Sequence, residues 1–294
     1  MGLTAILDLL ACPVCAGPLV QDAAGEGEGP GPLRCDRGHA VDVARQGYVT
    51  LTRAGIRHDG DTAAMVDARG RVQDAGQFEP LTEALVDVVP EGCGTLLDVG
   101  AGTGHHLSAV LSARHDAVGI ALDSSTAAAK RAARAHPRIG AVRADAAAEP
   151  LPVRDESIDT VLVTFAPRAV DELARVLRPD GLMVVAVPAP DHLAELRDPL
   201  GMLAVDPVKS DRLAGALGSA FTPAGTAAQR WTRTVTRDQA RDLAAMGPAA
   251  FHTGAAEMDA RAAALPDVVD VTFSVVVGRW RAAGGGARSG PSSP

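Results

Sequence analysis

Aromatic residues make up only 3% of this 294-residue chain, and lysine is nearly absent among its 28 basic residues. With so few aromatics, the core has to be built from Ala, Val and Leu, within a hydrophobic fraction of 47%. The shortage of lysine leaves no candidate for a cofactor Schiff base near a strand end, because Lys130 falls in a helical stretch. No apolar run reaches about 18 residues, so no transmembrane helix is expected. Met1–Leu10 lacks a basic start and a cleavage site, which argues against a signal peptide and for the cytoplasm. There a disulfide among the four cysteines is not expected. A formal net charge of −8 argues on its face against a nucleic-acid partner. The distribution is less uniform, since Arg34, Arg37, Arg45, Arg53 and Arg57 face only Asp36, Asp42 and, at the edge, Asp59. The N-terminal part therefore carries a mildly basic stripe. The length suits one α/β domain and a small accessory module.

What is present is organised around Leu96–His106, LLDVGAGTGHH. Apolar residues lead into Asp98, then Gly100, Gly102 and Gly104 alternate with small residues before an amphipathic run. This predicts a buried strand, a glycine turn and a helix start, with backbone passing close to a ligand. The pattern is G-x-G-x-G and lacks the G-x-G-x-x-G of a dinucleotide site. A ligand with an amino-acid end and a ribose but no phosphate fits it, and S-adenosylmethionine is that ligand. Strand and helix then alternate. Strands are expected at Thr95–Val99, Ala117–Leu122, Ile139–Arg143, Ser157–Thr164 and Leu182–Val187, the last after a turn at Arg178–Gly181. Helices are expected at His105–Ala113, Thr126–Ala135 and Val170–Leu177. Such alternation predicts a parallel sheet with helices on both faces, a Rossmann-like α/β fold. Asp98, Asp123 and Asp145 fall in or just beyond the first three strands, where ligands of open α/β sheets bind. There they can take the cofactor's ammonium, ribose hydroxyls and adenine amino group, respectively.

Residues 1–58 read as a separate zinc-binding unit. Cys12-Pro-Val-Cys15 and Cys35-Asp-Arg-Gly-His39 supply two ligands from each of two turns, suited to a tetrahedral structural Zn²⁺. Residues 21–32 read as a flexible loop, and Val41–Thr52 as a short hairpin holding the only tyrosine, Tyr48. Residues 59–90 link the two parts through a helical stretch, Thr62–Val89, broken near Gly76. In it, Phe78 either lines the cofactor pocket or packs between helices. Cys93 reads as a small buried hydrophobe. The methyltransferase-type domain spans 91–281, with a helical Asp191–Ala220, Arg230–Thr236 as a strand, Arg237–Met246 as a helix and Val268–Val277 as the final strand. Residues 282–294 read as a disordered tail.

Strand four ends in Thr164-Phe-Ala-Pro167, which departs from the Asn/Asp-Pro-Pro-aromatic sequence of enzymes that methylate an adenine amino group. Phe165 and backbone groups can instead hold a flat base, with Arg168 facing a purine oxygen. An ordinary strand-end turn with a surface arginine is the equal alternative. The segments CPVC, CDRGHAVDVARQGYV, DAGQFEPL, DVGAGTGHH, RAARAHPR, FAPR, LRPDG, DHLAEL and AMGP together resemble the bacterial 23S rRNA guanine-N1-methyltransferases of the RlmA type, nearest their tylosin-resistance branch. The resemblance runs from Leu10 to Arg279. It implies a class I S-adenosylmethionine-dependent methyltransferase whose zinc module, held by Cys12, Cys15, Cys35 and His39, helps grip a 23S rRNA hairpin. It further implies N1-methylguanine in a domain II hairpin near the peptide exit tunnel, and a homodimer. Gly102, Gly104, His105, His106 and His192 fall at positions resembling cofactor contacts, and Phe78 stands where relatives often have Tyr. No residue is singled out as the base, for which His105, His106, His192 and Asp171 are candidates. A small-molecule methyltransferase, or an RNA-binding zinc knuckle on an inert core, are the rival readings.

Overall fold

The two kinds of sequence alternation become two sheets. The computed structural model describes residues 2–23, 30–52, 60–147, 150–204 and 217–283. Strands β1 (Leu19–Gln21), β2 (Leu33–Cys35) and β3 (Ala40–Val41) form a small antiparallel sheet. The large sheet holds β4 (Tyr48–Thr50), β5 (Thr95–Val99), β6 (Val118–Asp123), β7 (Ile139–Arg143), β8 (Ile158–Thr164), β9 (Leu177–Pro188), β10 (Phe221–Thr236) and β11 (Val268–Ala282). Its order is β10-β11-β9-β8-β5-β6-β7-β4. Strands β4 to β9 run parallel, and β11 is antiparallel to both neighbours. Helices are α1 (Gly2–Ala5), α2 (Ala63–Asp74), α3 (Glu79–Val88), α4 (His105–Ala113), α5 (Thr126–Ala132), α6 (Val170–Val176), α7 (Ala194–Leu200), α8 (Arg237–Ala245) and α9 (Ala255–Ala263).

Both faces of the central strands are covered, which is why β5 reads as a continuous apolar run. Leu96 packs with α3 and α4, whereas Leu97 packs on the opposite face with α1 and α6, and both are fully buried. Each such leucine contributes about 2 kcal/mol by leaving water. The broken helix appears as expected, with α2 capped by the Thr62 hydroxyl and separated from α3 by Gly76 at φ +69°.

Several boundaries differ from the sequence reading. Helix α5 stops at Ala132, ahead of the expected Ala135, because Pro137 disfavours helical backbone just before it. The Arg178–Gly181 turn is a bulge inside β9: Ile158 pairs with Leu177 but Thr160 pairs with Leu182, and Asp180 takes φ +62°. Strand β10 begins at Phe221, well before Arg230, because β11 templates it along nearly its whole length. The Val41–Thr52 hairpin is reduced to a Val43–Val49 bridge, and the far edge of β4 joins β7 instead, covering that sheet edge. The core of the first unit is thereby continuous with the sheet: Ile6, Leu10, Leu33 and Val49 pack with Leu97, Val99 and Val142. Much of the 21–32 loop, residues 205–216 of the expected Asp191–Ala220 helix and nearly all of the tail lie outside the described residues.

Candidate functional site

Two turns bring four metal-binding side chains together. After Cys12, the amide of Ala16 donates to the Cys12 carbonyl at 2.8 Å, closing the first knuckle. In the second, Gly38 donates to the Cys35 carbonyl at 3.0 Å and takes φ +83°, which favours glycine. The ligand atoms of Cys12, Cys15, Cys35 and His39 all lie within 4.8 Å of one another. Bond lengths of about 2.3 Å to sulfur and 2.0–2.1 Å to nitrogen give a tetrahedron about 3.8 Å along a sulfur–sulfur edge and about 3.6 Å along a sulfur–nitrogen edge. The Cys15–Cys35 edge is 3.7 Å, and Nδ1 of His39 lies 3.6 Å from Cys12 Sγ and 3.3 Å from Cys35 Sγ. These are the edges of a zinc tetrahedron, so the quartet can hold structural zinc with no open position. Burial opposes ionisation of Cys35, but amides of His39 and Arg37 point at its sulfur and bring its pKa down to about 7.

At the carboxyl ends of β5, β6 and β7, the three expected acids come together on adjacent strands. Asp98 is 2% exposed, and its Oδ1 has no hydrogen-bond partner. Burial, with the neighbouring charge of Asp123, pushes its pKa up to about 8. Asp123 holds the glycine loop: its Oδ2 accepts from Gly102 N–H and its Oδ1 from Ser125 N–H, both at 2.8 Å. A carboxylate offers about four lone-pair sites, so two stay available to a ligand. Burial raises the pKa of Asp123, partly offset by those amides and by Arg69. Asp145 is half-buried, its Oδ1 accepting from Ala147 N–H at 2.8 Å. Gly100, Gly102 and Gly104 take φ of +70°, +55° and +78°.

The histidines part company. His106 turns into the core, its Nδ1 2.9 Å from Thr82 Oγ1, and burial drops its pKa to about 3. His105 lines a cleft of about 1050 Å³ between α2 and α5, with Gln73, Thr103, Lys130 and Arg131. That cleft touches the glycine loop but is not lined by the three acids. His192 sits far across the sheet, at the mouth beyond β8 and β9. Its Nδ1 accepts from Ser274 N–H at 3.1 Å, and burial, with the charge of Arg197, lowers its pKa to about 4.

An aromatic patch surrounds His192. The Phe78 ring lies 5.2 Å from Phe273, 5.9 Å from Phe165 and 6.5 Å from Trp231, and His192 lies 5.7 Å from Phe165. Four of the eight aromatic residues in an aromatic-poor chain meet at this one place. Phe78 is buried, whereas Phe165 is 42% exposed and takes a left-handed φ of +57°. Such backbone in a bulky residue is strained and marks functional sites. Arg168 is half-buried, its charged form disfavoured by burial, and has no ionic partner among the described residues. The described buried side-chain polar atoms without partners are Asp98 Oδ1, Gln77 Oε1 and Thr164 Oγ1. Asp98 lies on β5, whereas Gln77 is next to Phe78 and Thr164 next to Phe165 in the chain. Gln73, which accepts from the Thr103 hydroxyl at 2.6 Å, and Arg69 carried no motif that would have singled them out.

A family profile described as a methyltransferase domain matches residues 97–185. Among solved structures, a chain of the Haloferax volcanii complex between the Trm112 methyltransferase activator and a methyltransferase aligns with a TM-score of 0.51. It is 20% identical and covers 77% of this chain and all of that one, which supports the shared fold. The fold is that of S-adenosylmethionine-dependent methyltransferases, as the sequence implied. The 23S rRNA (guanine(748)-N1)-methyltransferase of Streptomyces fradiae is 42% identical over 275 residues, 92% of this chain and 95% of its own. A Micromonospora griseorubida protein, provisionally named a 23S rRNA (guanine-N1)-methyltransferase, is 44% identical over 94% of this chain and 98% of its own. Similarity of that depth covers more than nine-tenths of this chain, and the chain belongs to the 23S rRNA (guanine-N1)-methyltransferase family.

Proposed function

We propose that this chain methylates guanine N1 in a 23S rRNA domain II hairpin beside the peptide exit tunnel, with S-adenosylmethionine as donor, and so contributes to resistance against tylosin-type macrolides. The observation that carries the reading is similarity over more than nine-tenths of the chain to relatives named for that activity. A small-molecule methyltransferase would share the cofactor half alone. Bound over β5–β7, the cofactor supplies a methyl group already activated on a sulfonium. The protein's part is then mostly alignment. Phe165 offers its exposed ring as a stacking platform for the base, and Arg168 a cation for a purine oxygen. With Nδ1 of His192 taken by an amide, the neutral ring carries its proton on Nε2 and presents a donor, so it is no base for N1. His106 is turned inward, His105 lines the α2–α5 cleft, which no residue of the aromatic mouth borders, and Asp171 is exposed at the start of α6, which leaves water as the acceptor of the N1 proton. The substrate places the enzyme in the cytoplasm. No helix among the described residues is long and apolar enough to cross a membrane. A homodimer would widen the cleft around a folded hairpin, and sedimentation velocity at micromolar concentration should show twice the chain mass.

The direct test is mass spectrometry of hairpin RNA after incubation with enzyme and cofactor. One added methyl at guanine N1 is expected, and unmodified guanine throughout would end the reading. Base–aromatic stacking amounts to about 1–3 kcal/mol, so Phe165→Ala should lower kcat/KM for the RNA about 5- to 100-fold. Affinity for S-adenosylhomocysteine should stay within about twofold of wild type; unchanged RNA kinetics would remove Phe165 from its role.

Asp98 makes cofactor binding depend on pH. Its folded pKa of about 8 lies above the ordinary carboxylate value of about 3.9, so the free protein holds this proton at neutral pH. The ligand's cationic groups favour the ionised form. Affinity should therefore rise with pH from 6 to 8 and then level, with proton release seen by calorimetry in buffers of different ionisation enthalpy. In Asp98→Asn that pH dependence should vanish; a slope surviving in this variant assigns it elsewhere.

A further inference from the structure

Arg69, on the middle of α2, lies against the glycine loop: a Cβ built on Gly102 would sit 3.0 Å from its Nη1. Its other terminal nitrogen, Nη2, is engaged, 2.5 Å from Asp61 Oδ2 and 2.9 Å from the Met246 carbonyl. No acceptor among the described residues meets Nη1, although the side chain is only 25% exposed. The guanidinium is thus held from behind by two acceptors while its free edge faces the cradle. Helix α2 has little freedom to withdraw it. Arg71 grips Asp242 of α8 through a two-point ion pair of 2.6 and 2.7 Å, and Gln73 takes the Thr103 hydroxyl of the glycine loop.

The charge in the cradle is otherwise acidic, from Asp98 and Asp123, and Arg69 is the cation close enough to act on Asp123. Acids serve a ligand's hydroxyls and ammonium, but a ligand with an amino-acid end also brings a carboxylate. We propose that Arg69 is the anchor for that carboxylate, with Asp61 and the Met246 carbonyl fixing the guanidinium so that Nη1 and its neighbouring donors point at the loop. This rests on the cofactor reading above and adds a residue to it. It also gives the Ala-Met-Gly-Pro segment after α8 a task, which is to position Arg69 through a main-chain oxygen.

Two ligands separate this role from a structural one. S-adenosylhomocysteine carries the amino-acid end, and 5′-methylthioadenosine has the same nucleoside and thioether without it. By calorimetry, wild type should prefer S-adenosylhomocysteine. Arg69→Met should weaken it about 10- to 100-fold, the loss of a charge-assisted contact, while 5′-methylthioadenosine binds as before. Asp61→Asn removes the carboxylate that fixes the guanidinium and should weaken S-adenosylhomocysteine but not 5′-methylthioadenosine, which decides the matter should Arg69→Met not fold. Equal weakening of both ligands in Arg69→Met, or an unchanged ratio between them in both variants, overturns the proposal. Failure of wild type to bind either ligand would instead overturn the cofactor reading.

Discussion

Removing the metal with a strong chelator, or replacing Cys35 by serine, should unfold the first fifty residues. Zinc per chain should fall from about one to near zero by elemental analysis. Binding of structural zinc to small modules is worth about 10–16 kcal/mol near pH 7, as much as the whole stability of a typical domain. The unit's own sheet is small, since β1, β2 and β3 contribute three, three and two residues. The effect should spread, because Cys12 and Cys35 are buried in the same core as Leu97, Val99 and Val142. Hydrogen exchange should therefore show lost protection across residues 2–52 and along β7, where β4 docks, with β5 and β8 kept. The melting temperature should fall by 10 °C or more, on the order of 5 kcal/mol or above for a chain of this size. Affinity for the RNA hairpin should go with it. A chelated protein that keeps its melting point and protection would show that the quartet does not hold the fold.

The parts of this molecule that were legible in the sequence are those whose chemistry is local. Ligand spacing made the metal quartet readable, and strand-end acids beside a glycine turn made the cradle readable, since each needs only a few consecutive residues. Strand β4 was not readable as part of the large sheet. Its three residues alternate like any hairpin, and their pairing with β7 is settled by a segment nearly a hundred positions away. Strand β10 was half missed for the same reason, because Thr222–Gln229 is small and polar and owes its extended form to β11. Arg69 was missed because a helix sequence says which residues share a face, not what that face meets. The aromatic mouth has contributors from just before α3, just after β8, and from β10 and β11, and only the tertiary fold puts Phe78, Phe165, Trp231 and Phe273 together.

A single methyl group at Gly100 should abolish cofactor binding, while the same change at Gly102 should do far less. Both positions have positive φ, which costs an L residue about 1–2 kcal/mol. They differ in what a side chain would meet. At Gly100 the added Cβ would stand 2.4 Å from Ala166 Cβ, where carbon atoms prefer about 3.5–4.0 Å. Ala166 cannot easily give way, since it follows the strained Phe165, whose amide is bonded to Ala186 at 3.0 Å. The loop must move instead, and with it the Gly102 amide that holds Asp123. At Gly102 the new atom meets the Arg69 side chain, 3.0 Å from Nη1 and 3.5 Å from Cδ, a closeness that a shift of a few tenths of an ångström relieves while Asp61 and the Met246 carbonyl keep their hold. Gly100→Ala should thus weaken S-adenosylhomocysteine more than about 100-fold, and Gly102→Ala about tenfold or less, by calorimetry. Adding Ala166→Gly to Gly100→Ala should recover most of the lost affinity, because it removes the clash and leaves only the backbone cost. Should the double variant bind no better than the single, contact between the cofactor cradle and the strand carrying Phe165 is not what Gly100 protects. Recovery would show that the cradle and the base platform press on each other through these two small residues.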